Sequence, residues 1–220
     1  MKRFLAGFVF LTMVLSLSPR LPTVNGPIPV AATESHAADI RPALSNTFGH
    51  EGGYQNDPDD SGNYANGVRV GTKFGIAAKS YPKEDIRNLT IERAAFIYKN
   101  DFWGASRCDE WKSQIVAENY FELAVNAGQG SAARLIQRAA NRAAWPAAPI
   151  AVDGKIGPAT VKRINSVNQE LLIVHFFGMG YAHYEKVVIA NPIKAKYMRP
   201  WALRWSGNVK RTVRQHDRRG

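Results

Sequence analysis

The chain has 220 residues, 45% of them hydrophobic, enough to build one domain or one domain with a small appendage. Its single cysteine, Cys108, excludes an intramolecular disulfide, so an exported form must hold together by core burial alone. A formal charge of +11 draws the chain to polyanions, nucleic acid and cell envelopes alike, and charge by itself does not choose between them.

Residues 1–17 open with Lys2-Arg3 and continue as an uncharged run of 14 residues, from 4 to 17. A helix needs about 20 residues to cross a bilayer, so residues 1–32 are expected to be a cleaved signal peptide. Val30-Ala31-Ala32 and Ser35-His36-Ala37 offer small-residue cleavage sites, but the Pro-rich SPRLPTVNGPIP sets both further than usual from the apolar run. A signal anchor that is later released from the membrane, and a start codon assigned too early, therefore stand beside the cleavable leader. Residues 33–38 read as a linker. Without residues 1–32 the chain keeps 26 basic against 18 acidic residues, a net charge of +8. The expectation is an exported protein of the periplasm or cell envelope, with electrostatic contact to that anionic envelope.

Residues 38–50 place Ile40, Ala43, Leu44 and Phe48 at the spacing of an amphipathic helix, and Gly52-Gly53 is a usual way to stop one. Glu51 is then the last side chain of the helix. The negative end of the helix dipole, and any apolar wall it leans on, raise the pKa of a carboxyl placed there. A carboxylic acid kept protonated near neutral pH is what a glycosidase uses to protonate a leaving sugar oxygen. Gly52 and Gly53 let a sugar ring approach the backbone. Taken alone, Glu-Gly-Gly is also an ordinary exposed helix end.

Asp57, Asp59 and Asp60 follow in the turn-forming NDPDDSGN, and VRVGTKFGI alternates as a strand with a glycine kink at Gly71 that delivers the Thr72 hydroxyl. This builds a wall with an acid on one side and a carboxylate and hydroxyl on the other. Turn chemistry alone accounts for two of the three aspartates. Further on, Thr90 is a good N-cap for a helix, and Asp101-Phe102-Trp103-Gly104 ends that unit, with Phe102 read as core rather than as a sugar platform. Residues 113–126 are too apolar for one exposed face and read as the buried central helix, closed by Asn126 and Gly128. Residues 131–144 are amphipathic, and Gln137 among them has no evident task. Asp153-Gly154-Lys155-Ile156-Gly157-Pro158 is a turn leading into a helix with proline in its first turn. Residues 168–188 read as a core helix, His175 and His183 lack the i, i+4 pairing of a metal site, and the last residues form a basic tail. With no phosphate loop, dinucleotide fingerprint, paired-cysteine motif or Gly-x-Ser-x-Gly elbow, no cofactor and no metal are called for.

His50-Glu51-Gly52-Gly53-Tyr54, Asp57-Pro58-x-Asp60-x-Gly62-Asn63 and Gly71-Thr72-Lys73-Phe74-Gly75-Ile76 resemble the signature of the glycoside hydrolase family 108 lysozymes, found as phage endolysins and secretion-associated muramidases. Tyr81-Pro82, Asn88-Leu89-Thr90, Phe121-x-x-Ala124-Val125-Asn126-x-Gly128 and Val152-Asp153-Gly154-x-Ile156-Gly157-Pro158-x-Thr160 continue the resemblance in order, over roughly residues 40–210. Two departures stand out: Glu122 where many members have aspartate, and an insertion, YANGVRV, before the glycine and threonine.

The resemblance implies a mainly α, lysozyme-like domain with a small β-hairpin as one cleft wall, catalytic over 39–145, and a peptidoglycan-binding-like helical region, 146–220, packed on it. It implies hydrolysis of the β-1,4 bond between N-acetylmuramic acid and N-acetylglucosamine, for phage lysis or for wall remodelling during secretion. Glu51 is the expected general acid, Asp60 the second carboxylate and Thr72 its partner in holding water. Gly52, Gly53, Tyr54, Asp57 and Asn126 are the expected substrate contacts, with Asp57 in reserve as second carboxylate. The expected partner is the glycan strand, and a monomer is expected. A catalytically silent peptidoglycan-binding protein is the alternative. A nucleic-acid binder is set aside for want of a helix-turn-helix, RNP or zinc signature and because of the export leader.

Overall fold

The spacing of Ile40, Ala43, Leu44 and Phe48 does form a helix, α1 (Ile40–His50), with Ala43 fully buried and Leu44 and Phe48 packed on the core. The computed structural model describes residues 37–50, 53–199, 201–203 and 205–207, which belong to one compact, mainly helical unit. The expected leader, residues 1–32, lies outside the described residues. At its start α1 is tied to the middle of the chain. The Ala38 N–H donates to the Trp111 carbonyl at 3.1 Å, and the Asp39 N–H to the Gln114 side chain at 2.7 Å.

The segment expected to be one kinked strand is two tight hairpins. Strands β1 (Tyr64–Ala65) and β2 (Val68–Arg69) pair antiparallel around Asn66-Gly67, whose φ angles of 50° and 78° are those a two-residue type I′ turn requires. Strands β3 (Thr72–Lys73) and β4 (Ile76–Ala77) do the same around Phe74-Gly75, at 51° and 77°. The inserted YANGVRV is thus mostly the first hairpin, folded on itself instead of lengthening an open loop.

Helix α2 (Ile91–Ile97) is N-capped by Thr90, which accepts from the Arg93 N–H at 3.2 Å. It runs on into a π-helical turn, Tyr98–Gly104, that turns Tyr98 and Trp103 fully inward. Phe102 packs edge-on against Tyr98 and Phe121, a core role. Helix α3 (Gln114–Ala127) is the central one: every residue from Val116 to Ala124 is buried. At Gly128, with φ of 84°, the chain turns into α4 (Gln129–Ala143), which packs on α3 and on α6 (Gln169–Ala190). Between α4 and α6 lies α5 (Pro158–Ser166), with proline in its first turn as expected.

Gln137 turns out to hold the Asp153–Lys155 turn to α4. Its amide donates to the Asp153 carboxylate at 2.8 Å, to the Lys155 carbonyl at 2.9 Å and to Thr160 Oγ1 at 3.2 Å, and its carbonyl accepts from the Gly154 N–H at 3.0 Å. Gln137 itself is buried, and without the exposed turn it holds, its own amide would be left unpaired. Helix α6 buries Leu172, Ile173, Phe176, Phe177, Gly180 and Tyr184 and exposes Leu171, Val174 and Ile189. Among the described residues no helix is long and apolar enough to cross a membrane. The chain returns to close α6: Trp205 donates its indole N–H to the Phe177 carbonyl at 3.0 Å, and Trp201 stacks on Tyr184 at 5.2 Å.

Two glycines two residues apart on α6 should respond oppositely to alanine. A Cβ on Gly180 would lie 2.5 Å from the Trp205 ring, whereas one on exposed Gly178 would meet nothing within 4 Å. Gly180→Ala should therefore lower stability by about 1–3 kcal/mol through overpacking. Gly178→Ala should raise it by roughly 0.5–1 kcal/mol through helix propensity. Urea unfolding of the two variants measures both signs.

Candidate functional site

The loop between α1 and β3 is organised by one buried amide. Asn63 is 0% exposed. Its amide N–H groups donate to Gln55 Oε1 and to the Asp57 carbonyl, each at 2.9 Å. Its side-chain oxygen accepts from Gln55 Nε2 at 3.1 Å and from the Thr72 hydroxyl at 2.7 Å. Its backbone carbonyl accepts from the N–H groups of Val70 and Gly71 at 2.8 and 3.0 Å. Strands two residues long cannot hold this segment by themselves, and the side-chain network supplies what a longer ladder would.

Asp60 and Thr72 both belong to this network. One Asp60 oxygen caps the Gly62 N–H at 2.9 Å and the other accepts from Gln55 Nε2 at 3.2 Å. The same Gln55 nitrogen reaches the Asn63 oxygen that takes the Thr72 proton, so Asp60 and Thr72 are joined through two intervening amides. A carboxylate has about four acceptor positions, so half-buried Asp60 keeps acceptor capacity for a water or a sugar hydroxyl. Thr72, its proton committed to Asn63, is left as an acceptor toward water.

Asp57 faces elsewhere. Its carboxylate accepts from the Asp59 N–H at 2.9 Å, from the Tyr197 hydroxyl at 3.2 Å and from Lys196 at 3.4 Å, while Lys196 also pairs with Asp59 at 2.9 Å. The Asp59 N–H bond, with Tyr197 and Lys196 adding to it, holds the Asp57 carboxyl below its ordinary range. The bond to Asp59 is the largest influence holding the Lys196 ammonium above its own. Asp57 is thus joined to the end of the chain, and only its backbone enters the Asn63 network.

Tyr54 lies across Gly71 and donates its hydroxyl to the Val70 carbonyl at 2.5 Å, with the Arg87 guanidinium 5.6 Å from its ring. Gly71 has φ of 110°, and a Cβ there would sit 2.5 Å from that ring and 2.7 Å from the Gln55 carbonyl, so the position demands glycine. Gly53 is exposed, with open space where a side chain would be. Asn126 stands in the last turn of α3 and donates to the Glu122 carbonyl at 2.7 Å. Glu51 and Gly52 lie outside the described residues. The end of α1 is fixed at Phe48, which packs on Phe74 of the second hairpin and on Tyr98, whose hydroxyl in turn donates to the Phe74 carbonyl at 2.7 Å.

Residues 44–128 match the family model Glycosyl hydrolase 108. The matched stretch runs from the second half of α1 through Asn63 and both hairpins to the end of α3, and it supports reading the site as that of a glycoside hydrolase. The structure of Brucella abortus SagA is similar in fold, with a TM-score of 0.63 at 20% identity over 78% of this chain and 92% of that one. The fold is mainly helical and lysozyme-like. No curated protein matches the sequence.

Several residues of this site carry no evident signal in the sequence. Gln55 looks like an ordinary turn residue, Asn63 closes the Asp57–Asn63 motif with nothing local to mark it as the organising amide, and the contact of Lys196 and Tyr197 with Asp57 spans about 140 positions. Asn66-Gly67, by contrast, is a recognised hairpin signal and marks the first turn. The buried Cys108 thiol is pushed well up by desolvation, which leaves it unreactive. Among the described residues no group of three or more His, Cys, Asp or Glu is placed to hold a metal ion.

Asn63→Ala should remove four side-chain hydrogen bonds and cost about 2–4 kcal/mol, at roughly 1 kcal/mol for each. Thermal unfolding checks the loss, and hydrogen exchange should localise it to residues 55–72. The contact between Lys196 and Asp57 predicts a pH signature. The lowered carboxyl contributes fully above its ordinary 3.8 and loses its contribution as pH falls through its depressed value. The raised ammonium contributes fully below its ordinary 10.5 and loses its contribution as pH climbs through its elevated value. Lys196→Met should therefore melt slightly below the parent at neutral pH, and the difference should close in acid below 3.8, as measured by Tm against pH.

Proposed function

We propose that the protein is a peptidoglycan hydrolase of the N-acetylmuramidase type, cleaving the β-1,4 bond between N-acetylmuramic acid and N-acetylglucosamine. The observation that carries this reading is the match of residues 44–128 to Glycosyl hydrolase 108, a stretch that takes in Glu51 and the Asn63 network. In the sequence Glu51 comes next after His50, the last residue of α1, and a carboxylate close to a helix C-terminus is disfavoured by the helix dipole. In its protonated form it donates to the leaving glycosidic oxygen. Asp60 stabilises the positive charge that develops on the sugar or orients the attacking water, and Thr72, as an acceptor, helps hold that water. Asn126, Tyr54 and the glycines at 52 and 53 contact the glycan. An exported form, drawn to the anionic envelope by its basic charge, meets this substrate there, either in phage lysis or in opening the wall for secretion.

Turbidity loss of a purified cell-wall suspension tests these roles. Glu51→Gln should lower the rate by orders of magnitude with an unchanged melting temperature, because the amide keeps the shape and has no proton to give. Asp60→Asn should cost activity severely and Thr72→Ala less, since a charge near an oxocarbenium-like centre outweighs one hydrogen bond. Full activity in Glu51→Gln would remove Glu51 from the mechanism. A harsher effect of Asp57→Asn than of Asp60→Asn would exchange the two aspartates.

A further inference from the structure

Of the five tryptophans, Trp103, Trp111 and Trp205 are buried and Trp201 is half-buried, yet Trp145 is 84% exposed. Its loop is not loose. Asn141 exchanges two hydrogen bonds of 2.9 Å with the Ile150 backbone, Arg163 donates to the Ala148 carbonyl at 2.7 Å, and the Ala147 N–H donates to the Ala144 carbonyl at 2.9 Å. A fixed loop therefore holds a large apolar ring out in water, which folding alone does not favour.

That ring borders an open concavity of about 780 Å³. Arg138 and Arg142 of α4 flank it, and His175 and Met179 of α6 face it. None of the lining residues is acidic, and none belongs to the loop that holds Asp60 and Thr72. The two arginines are exposed and one helical turn apart, an arrangement of like charges that costs a helix stability. Among the described residues neither guanidinium has an acidic partner. A flat indole face beside two unpaired, fork-shaped cations suits a ligand that presents an apolar C–H face and carboxylates together.

We propose that this concavity is a second binding site for the peptidoglycan strand, built by α4, the loop after it and α6. The indole seats the C–H face of a sugar ring, and Arg138 and Arg142 pair with the lactyl or stem-peptide carboxylates that branch from the strand. The choice of glycan rests on the proposed hydrolase reading. The site itself rests on the exposed ring and the charge around it. It holds the protein to an insoluble wall and leaves cleavage of short fragments unaffected.

Co-sedimentation of the full chain with purified peptidoglycan and with chitin, which has the sugar faces but no carboxylates, separates these elements. Glu51→Gln serves as parent, so that the wall survives the measurement. Adding Trp145→Ala should weaken retention on both polymers about tenfold, as expected for loss of a central aromatic anchor. Adding Arg138→Gln with Arg142→Gln should weaken retention on peptidoglycan only. In the chain with native Glu51, Trp145→Ala should leave the melting temperature and the hydrolysis of short soluble fragments unchanged. Retention on peptidoglycan unaltered by Trp145→Ala would overturn the site even if the protein proves to be a hydrolase. Retention that depends on Trp145, in a protein that does not cleave the wall, would uphold the site and refute the hydrolase reading.

Discussion

The buried side-chain amide of Asn63 is the constraint on which the candidate site depends. The segment between α1 and α2 holds four strands of two residues each, too short for a self-sustaining sheet, and most of its side chains are exposed or half-exposed. Ile76, Ala78, Ile86 and Leu89 anchor its later half in the core, but residues 55–63 bury no apolar side chain, and there the amide sets the shape. With donors and acceptors all engaged, Asn63 stabilises one loop conformation, because any alternative leaves a buried polar group unpaired at a cost of about 1–3 kcal/mol. The same bonds hold Thr72 and, through Gln55, Asp60. Preorganisation of a carboxylate and a hydroxyl is what electrostatic stabilisation of a charged transition state requires.

Around this polar centre the rest of the fold supplies rigid supports. Phe48 at the end of α1, Phe74 in the second hairpin, and Tyr98, Phe102 and Phe121 form a chain of tilted and edge-on aromatic contacts with ring centroids 5.4–6.4 Å apart. Each such pair contributes about 0.5–1.5 kcal/mol beyond area burial. Together they join the helix preceding Glu51, the hairpin carrying Thr72 and the central helix α3. On the other side of the loop, Lys196 and Tyr197 hold Asp57 and Asp59 from the end of the chain, an exposed contact that guides the loop more than it stabilises it.

Local signals predicted the local structure well. The 3.6-residue spacing located α1 and α4, the density of apolar residues located α3 and α6, Thr90 and Pro158 marked the starts of their helices, and Gly128 marked the sharp joint after α3. The alternation in VRVGTKFGI was misleading because two positive-φ pairs, Asn66-Gly67 and Phe74-Gly75, reverse the chain where period alone suggests one strand. Gln137, Gln55 and Lys196 were not legible, for one reason: each gains its partners only when distant segments meet, and an amide or ammonium reads the same whether solvated or committed. Trp145 is the converse case. An indole in sequence suggests core, and only its 84% exposure beside Arg138 and Arg142 gives it another meaning.

The central claim is that this chain breaks one particular bond of the wall, and the ends it releases answer that directly. Mass spectrometry of the soluble products from purified peptidoglycan, reduced with borohydride, identifies the sugar at the new reducing end. The account predicts N-acetylmuramic acid at that end. N-acetylglucosamine at the reducing end, or no release of glycan fragments, would contradict it.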